Sequence, residues 1–134
     1  MKKIAYTLCL LLCALACGCS PDGGSSPLRG QWVMVTMTVD DVPVETEAIL
    51  YTWRFHSDIV QITEQKGLHT ADYSFGIWTL AGDAMTIDFK GQPGPPAELG
   101  LSGSVVNHLT LTWDTKSQII LSGPHKTYYL KKLN

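Results

Sequence analysis

The chain has 134 residues, with ten Lys and Arg against twelve Asp and Glu, and a net charge of −2 at pH 7. That length suits one domain with its own core and not two. A near-neutral balance without a basic patch speaks against nucleic acid as a partner.

The chain opens Met1-Lys2-Lys3 and then runs apolar over 4–16, the layout of a secretory signal. The apolar run is short for a membrane span, which takes roughly 20 residues. All four cysteines, Cys9, Cys13, Cys17 and Cys19, fall in the first 19 residues. None remains downstream as a partner, so a disulfide framework is not expected. Leu15-Ala16-Cys17-Gly18-Cys19 resembles the lipobox of bacterial lipoproteins, with Ala16 where the box usually has leucine. In those proteins a thiol after a small residue receives diacylglycerol, and the chain is cut just before it. The resemblance implies lipid attachment at Cys19, with Cys17 as the alternative. An ordinary signal peptide cut near Ala16 is the remaining reading.

Cleavage before Cys19 removes residues 1–18, leaves 116 residues, and takes Lys2 and Lys3 from the ten basic residues, so the net charge falls to −4. Two or more acyl chains anchor stably where one does not. Ser20, not Asp, follows Cys19. By the same resemblance this implies the outer membrane of a Gram-negative envelope. Residues 19–27, with Ser20-Pro21-Asp22-Gly23-Gly24-Ser25-Ser26-Pro27, read as a flexible tether.

From residue 28 onward the text has period two. Ile49, Tyr51, Trp53 and Phe55 share a face, as do Tyr73, Phe75 and Ile77. Met85, Ile87 and Phe89 follow, then Leu109, Leu111 and Trp113. Alternating β-branched and aromatic residues mark half-buried strands. Strands are expected over 31–39, 48–56, 59–64, 70–80, 84–90, 99–105, 109–114, 117–122 and 126–132. Turns are expected at Ser57-Asp58, at Gly82-Asp83 and around Asn107. The proline-rich 91–96 is the longest loop, since proline cannot donate to a central ladder. In the first strand both faces are apolar, with Trp32 and Met34 on one and Val33, Val35, Met37 and Val39 on the other. A strand with one wet face should not look so. The tether, another subunit or a partner is expected to cover it.

A meander of about eight such strands closes when its last strand pairs with its first. The fold class expected is all-β, a small antiparallel up-and-down barrel. Leu28-Arg29-Gly30-Gln31-Trp32 carries the Gly-x-Trp that opens the first strand of lipocalins. With Leu109–Trp113 and the closing Tyr128-Tyr129-Leu130-Lys131, the segment 28–134 resembles the short lipocalin-like domains of bacterial surface lipoproteins. The resemblance implies that Gly30 turns the chain into the barrel and that Trp32 plugs its closed end. Lipocalins often lay an arginine across that indole; Lys131 or Lys132 stands in its place here.

Tyr51, Trp53, Phe55 and Phe75 are the candidates to line a cavity for a small apolar ligand. His56, His69, His108 and His125 are scattered without metal-ligand spacing and read as solvated. Asp40, Asp41, Glu45 and Glu47 read as an exposed acidic loop. No nucleophile–base pair can be placed, so no enzyme, metal or cofactor is expected. The expected function is a membrane-anchored binding protein for a small apolar ligand. The alternative is a module with a packed barrel that contacts another envelope protein as an accessory subunit or inhibitor.

Overall fold

The computed structural model describes residues 26–45, 49–90 and 94–133. The signal, both candidate lipidation cysteines and most of the tether lie outside the described residues. The strands run in chain order: β1 (Gly30–Val39), β2 (Val42–Val44), β3 (Leu50–His56), β4 (Ile59–Gln65), β5 (Ala71–Ala81), β6 (Ala84–Asp88), β7 (Asn107–Thr115), β8 (Gln118–Ser122) and β9 (Lys126–Lys132). Each pairs antiparallel with its neighbour, and β9 returns to β1 from Trp32↔Lys132 to Val39↔Lys126. Eight strands close the barrel. The short β2 extends one wall, pairing with the end of β1 while β3 pairs with its start.

β2 was not foreseen, because three residues with a central proline carry almost no periodic signal. It exists because Asp40 and Asp41 both take positive φ, +49° and +66°. That backbone is a two-residue turn matched to strand twist.

The first strand answers its own puzzle. Its register with β9 slips between Met34 and Thr36. The bulge at Val35 reverses the alternation, so Trp32, Met34 and Met37 all point inward and Val39 packs against the core. Two apolar faces in the sequence are therefore mostly one face, re-phased midway. Val33 and Val35 alone stay outside.

A second expectation fails at 99–105. Pro95 and Pro96 lead into a 3₁₀ turn, Ala97–Leu99, and Gly100 stops it at φ +71°. The following chain is coil, held by the Ser102 hydroxyl accepting from Ser104 and Val105 N–H. Asn107, expected at a hairpin turn, instead begins β7 and pins this loop. Its Oδ1 accepts from Ser102 N at 2.7 Å, and its Nδ2 donates to Ser102 O at 2.8 Å and to Ile87 O at 3.1 Å. The loop lowers Leu99 into the core, where it is fully buried, and Tyr128 donates its hydroxyl to Leu99 O.

The third failure concerns β5. Tyr73, Phe75 and Ile77 face outward, 54%, 53% and 40% exposed, and Ser74, Gly76 and Trp78 face in. Register decides this: Gln61, an outward residue of β4, sits opposite Phe75, and inward Ile62 sits opposite Ser74. Position 76 is a glycine because Ile87 and Phe89 fill the space above it.

Candidate functional site

The barrel has two ends of different character. At the end where β1 starts, Gly30 enters at φ +129°, a backbone that favours glycine, and a Cβ there would also crowd Lys132 Cε at 3.2 Å. Trp32 is fully buried, and its Nε1 donates to Leu28 O at 2.8 Å. Trp113 meets it edge-on at 6.0 Å. Lys132 Nζ lies 5.6 Å from the indole centroid and donates to Pro27 O at 3.1 Å. Such a contact is worth about 0.5–1 kcal/mol at an exposed site. Lys132, not Lys131, therefore occupies the cationic position over the indole.

Three of the sequence-nominated aromatics come together in the barrel interior, and one does not. Tyr51, Trp53 and Phe55 are each nearly fully buried. Trp53 packs against Tyr128 at 5.3 Å and Phe55 edge-on against Trp78 at 5.3 Å. Phe75 lies on the opposite surface of the wall. Trp53 Nε1 and Trp78 Nε1 are buried and find no acceptor among the described residues.

At the other end, the mouth, strand alternation carries a carboxylate into the inner face. Val60, Ile62 and Glu64 point the same way, and all three are buried. Glu64 accepts from the Tyr51 hydroxyl at 3.1 Å and pairs with Lys66 at 3.3 Å. Burial, then the bond to Glu64 and the nearby charges of Glu64 and Glu98, hold the Tyr51 hydroxyl well above the ordinary tyrosine value. Burial alone does the same to Tyr128. Glu64 was overlooked in the sequence, although a charge in phase with two inward aliphatics is a legible signal.

At the same end a concavity of about 340 Å³ opens between the 100–106 loop and the β8–β9 turn. Leu101, Val106, Leu109 and Pro124 supply apolar wall, Lys126 supplies positive charge, and His108 and His125 supply imidazole nitrogens. Lys126 reaches this position by lying across Gly100; a Cβ at that glycine would meet Lys126 Cε at 2.0 Å. His125 is not unpartnered as its sequence neighbours imply: its Nδ1 is 3.0 Å from Asp40 Oδ1, and Asp40 N–H donates to His125 O at 2.7 Å. Asp40 and Asp41 are thus hairpin residues, and Asp40 clamps the hairpin to the facing turn. Glu45 is exposed, and Glu47 lies outside the described residues. His56 is on the outer wall and His69 in an exposed turn. None of the mouth residues stood out in sequence, because they come from four separate segments that only the loop and turn geometry brings together.

No protein-family model matches the chain, and no curated protein matches it in sequence. Solved structures similar to it include a lipocalin-like protein from Bacteroides uniformis ATCC 8492, at TM-score 0.66 and 12% identity, covering 81% of this chain and 100% of that one. An uncharacterized protein from Bacteroides eggerthii DSM 20697 aligns at TM-score 0.62 and 14% identity, covering 79% of this chain and 99% of that one. The chain is a closed eight-stranded barrel of lipocalin-like fold. At these identities the likeness shows the fold alone.

Proposed function

We propose that the chain is an envelope lipoprotein, anchored through Cys19, whose barrel binds a small anionic amphiphile at its mouth. The observation that carries this reading is the 340 Å³ concavity, with apolar wall from Leu101, Val106 and Leu109 beside Lys126, His108 and His125. Its volume lies at the lower end of the range for ligand sites, roughly 300–1,000 Å³. An alkyl or aryl body would lie on the apolar wall, and a carboxylate or similar head would take charge-assisted bonds from Lys126 and the imidazoles. In this reading the role is binding.

The interior aromatics shape the barrel and leave the ligand at its rim. Tyr128 illustrates the division: its ring packs on Trp53, and its hydroxyl holds the Leu99 carbonyl that positions the mouth loop. The test is titration with a fluorescent fatty acid. Lys126→Ala should weaken binding roughly tenfold, the loss of one charged hydrogen bond, and added salt should weaken the wild type. Equal affinity in wild type and Lys126→Ala would reject the site. Radiolabelled palmitate should enter the wild type and not Cys19→Ala; label that survives moves the attachment to Cys17.

A further inference from the structure

The charges around the mouth concavity fall into two groups, those that stay and those that titrate. Lys126 lines it, and Asp40 reaches its edge from the β1–β2 hairpin, 3.0 Å from His125 Nδ1. Aspartate and lysine side chains stay ionised from about pH 5.5 to about pH 8, so these two charges offset each other throughout. What remains in the lining is a pair of imidazoles, His108 and His125. Imidazole is the side chain whose charge changes in that interval.

The two imidazoles stand differently. His108 lies on the outer side of β7, next to inward Leu109 and opposite Thr86 in the ladder. It is exposed, and its side chain has no hydrogen-bond or ion-pair partner among the described residues. His125, in the β8–β9 turn, gives one nitrogen to Asp40 Oδ1 and keeps Nε2 for another partner. The other titratable group of the lining, the buried Tyr128 hydroxyl, is committed to Leu99 O. Three further carboxylates stand on the elements around the imidazoles. Asp41 follows Asp40 in the hairpin. Asp88, two places along β6 from Thr86, is paired with Lys90 at 3.5 Å. Glu98, in the 3₁₀ turn, lies near enough to act on the Tyr51 hydroxyl. With both imidazoles neutral the concavity therefore has no excess of positive charge, and protonating both adds two.

We propose that the mouth is a proton-linked site, which takes up an anionic amphiphile together with protons on His108 and His125 and releases it when those protons leave. The proposal rests on the ligand site described above and adds its regulation. An anion beside an imidazole favours the charged form, and by reciprocity the charged form favours the anion. Affinity is therefore highest below the imidazole range and falls as pH rises through it. Protonation turns a neutral hydrogen bond to the ligand head into a charge-assisted one, roughly twice as strong. The apolar wall is indifferent to pH, so the proton acts on the head of the ligand and not on its body.

The experiment is calorimetric titration of the full chain with octanesulfonate, whose head stays ionised throughout, and with octanol as its neutral counterpart. Affinity for octanesulfonate should rise roughly tenfold on going from about pH 8 to about pH 5.5, while affinity for octanol stays level. At about pH 6.5, titrations in two buffers of different ionisation enthalpy should show net uptake of protons as octanesulfonate binds. His108→Gln should lose part of the rise, and His108→Gln/His125→Gln all of it. Octanesulfonate binding equally well at both pH values, without proton uptake, overturns the linkage and leaves the ligand site standing. A rise that survives in the double variant also overturns it. No binding of octanesulfonate at either pH rejects the ligand site itself, and the linkage with it.

Discussion

Gly76→Ala tests why β5 turns its aromatic residues outward. Gly76 sits on the inner side of β5, and a Cβ there would stand 3.0 Å from Ile87 Cγ2 and 3.1 and 3.2 Å from the Phe89 ring. All three are side-chain atoms of a filled core, and Ile87 and Phe89 are both fully buried. They have to give by a few tenths of an ångström. Overpacking of this kind costs about 1–3 kcal/mol. Against it stands a gain of about 0.4–1 kcal/mol from a stiffer unfolded chain. The expected net loss is about 1–2 kcal/mol, a fall in Tm of roughly 5–12 °C. Urea unfolding should show a lower midpoint at unchanged slope. Phe89→Leu should recover part of the loss, with a coupling of about 1 kcal/mol in the double-mutant cycle. A Gly76→Ala variant as stable as the wild type, or more stable, would refute the packing argument and the phase of β5 with it.

Two further outcomes follow from the mouth. Asn107→Ala removes the side-chain bonds that tie Ser102 of the 100–106 loop to β6, and should cost roughly 2–3 kcal/mol in stability from urea unfolding while also lowering fatty-acid affinity; a variant that keeps both would show that the loop is held by other means. Tyr51 and Tyr128 have folded-state values raised above the ordinary 10.0. Their stabilising contribution is full below pH 10 and is lost above it, as the unfolded chain ionises first. Stability should therefore fall by about 1.4 kcal/mol per pH unit for each tyrosine. Urea midpoints above pH 10 check this, and the double Tyr51→Phe/Tyr128→Phe variant should flatten the slope; a slope unchanged in that variant would contradict it.

Strand existence was legible where alternation was long and clean, as in β3 and β7, and the Gly-x-Trp motif lies at the start of β1. Two kinds of information were not. Alternation says that β5 has two faces, but the inward one is chosen by partners: Gly76 and Ser74 look like the wet side until Phe89 and the Gly94 carbonyl, which accepts from Ser74 Oγ at 3.0 Å, are placed against them. The bulge at Val35 likewise has no local signature, and it turns an apparently two-sided apolar strand into a one-sided one. Leu99 to Val105 reads as a strand by composition, yet two prolines before it and a left-handed Gly100 make it a loop. The mouth residues are invisible for a related reason. His108, His125, Lys126 and Leu101 become neighbours only through that loop and the β8–β9 turn.

The proposed ligand sits at the rim of a barrel whose interior is filled by its own aromatics, and fatty-acid affinity in two variants separates rim from interior. Trp53→Phe keeps an aromatic ring in the core and removes an indole N–H that has no acceptor among the described residues, while Leu101→Asp puts a negative charge on the apolar wall of the mouth. Affinity should survive Trp53→Phe and be lost in Leu101→Asp. Loss in Trp53→Phe with retention in Leu101→Asp would place the ligand inside the barrel and contradict the account.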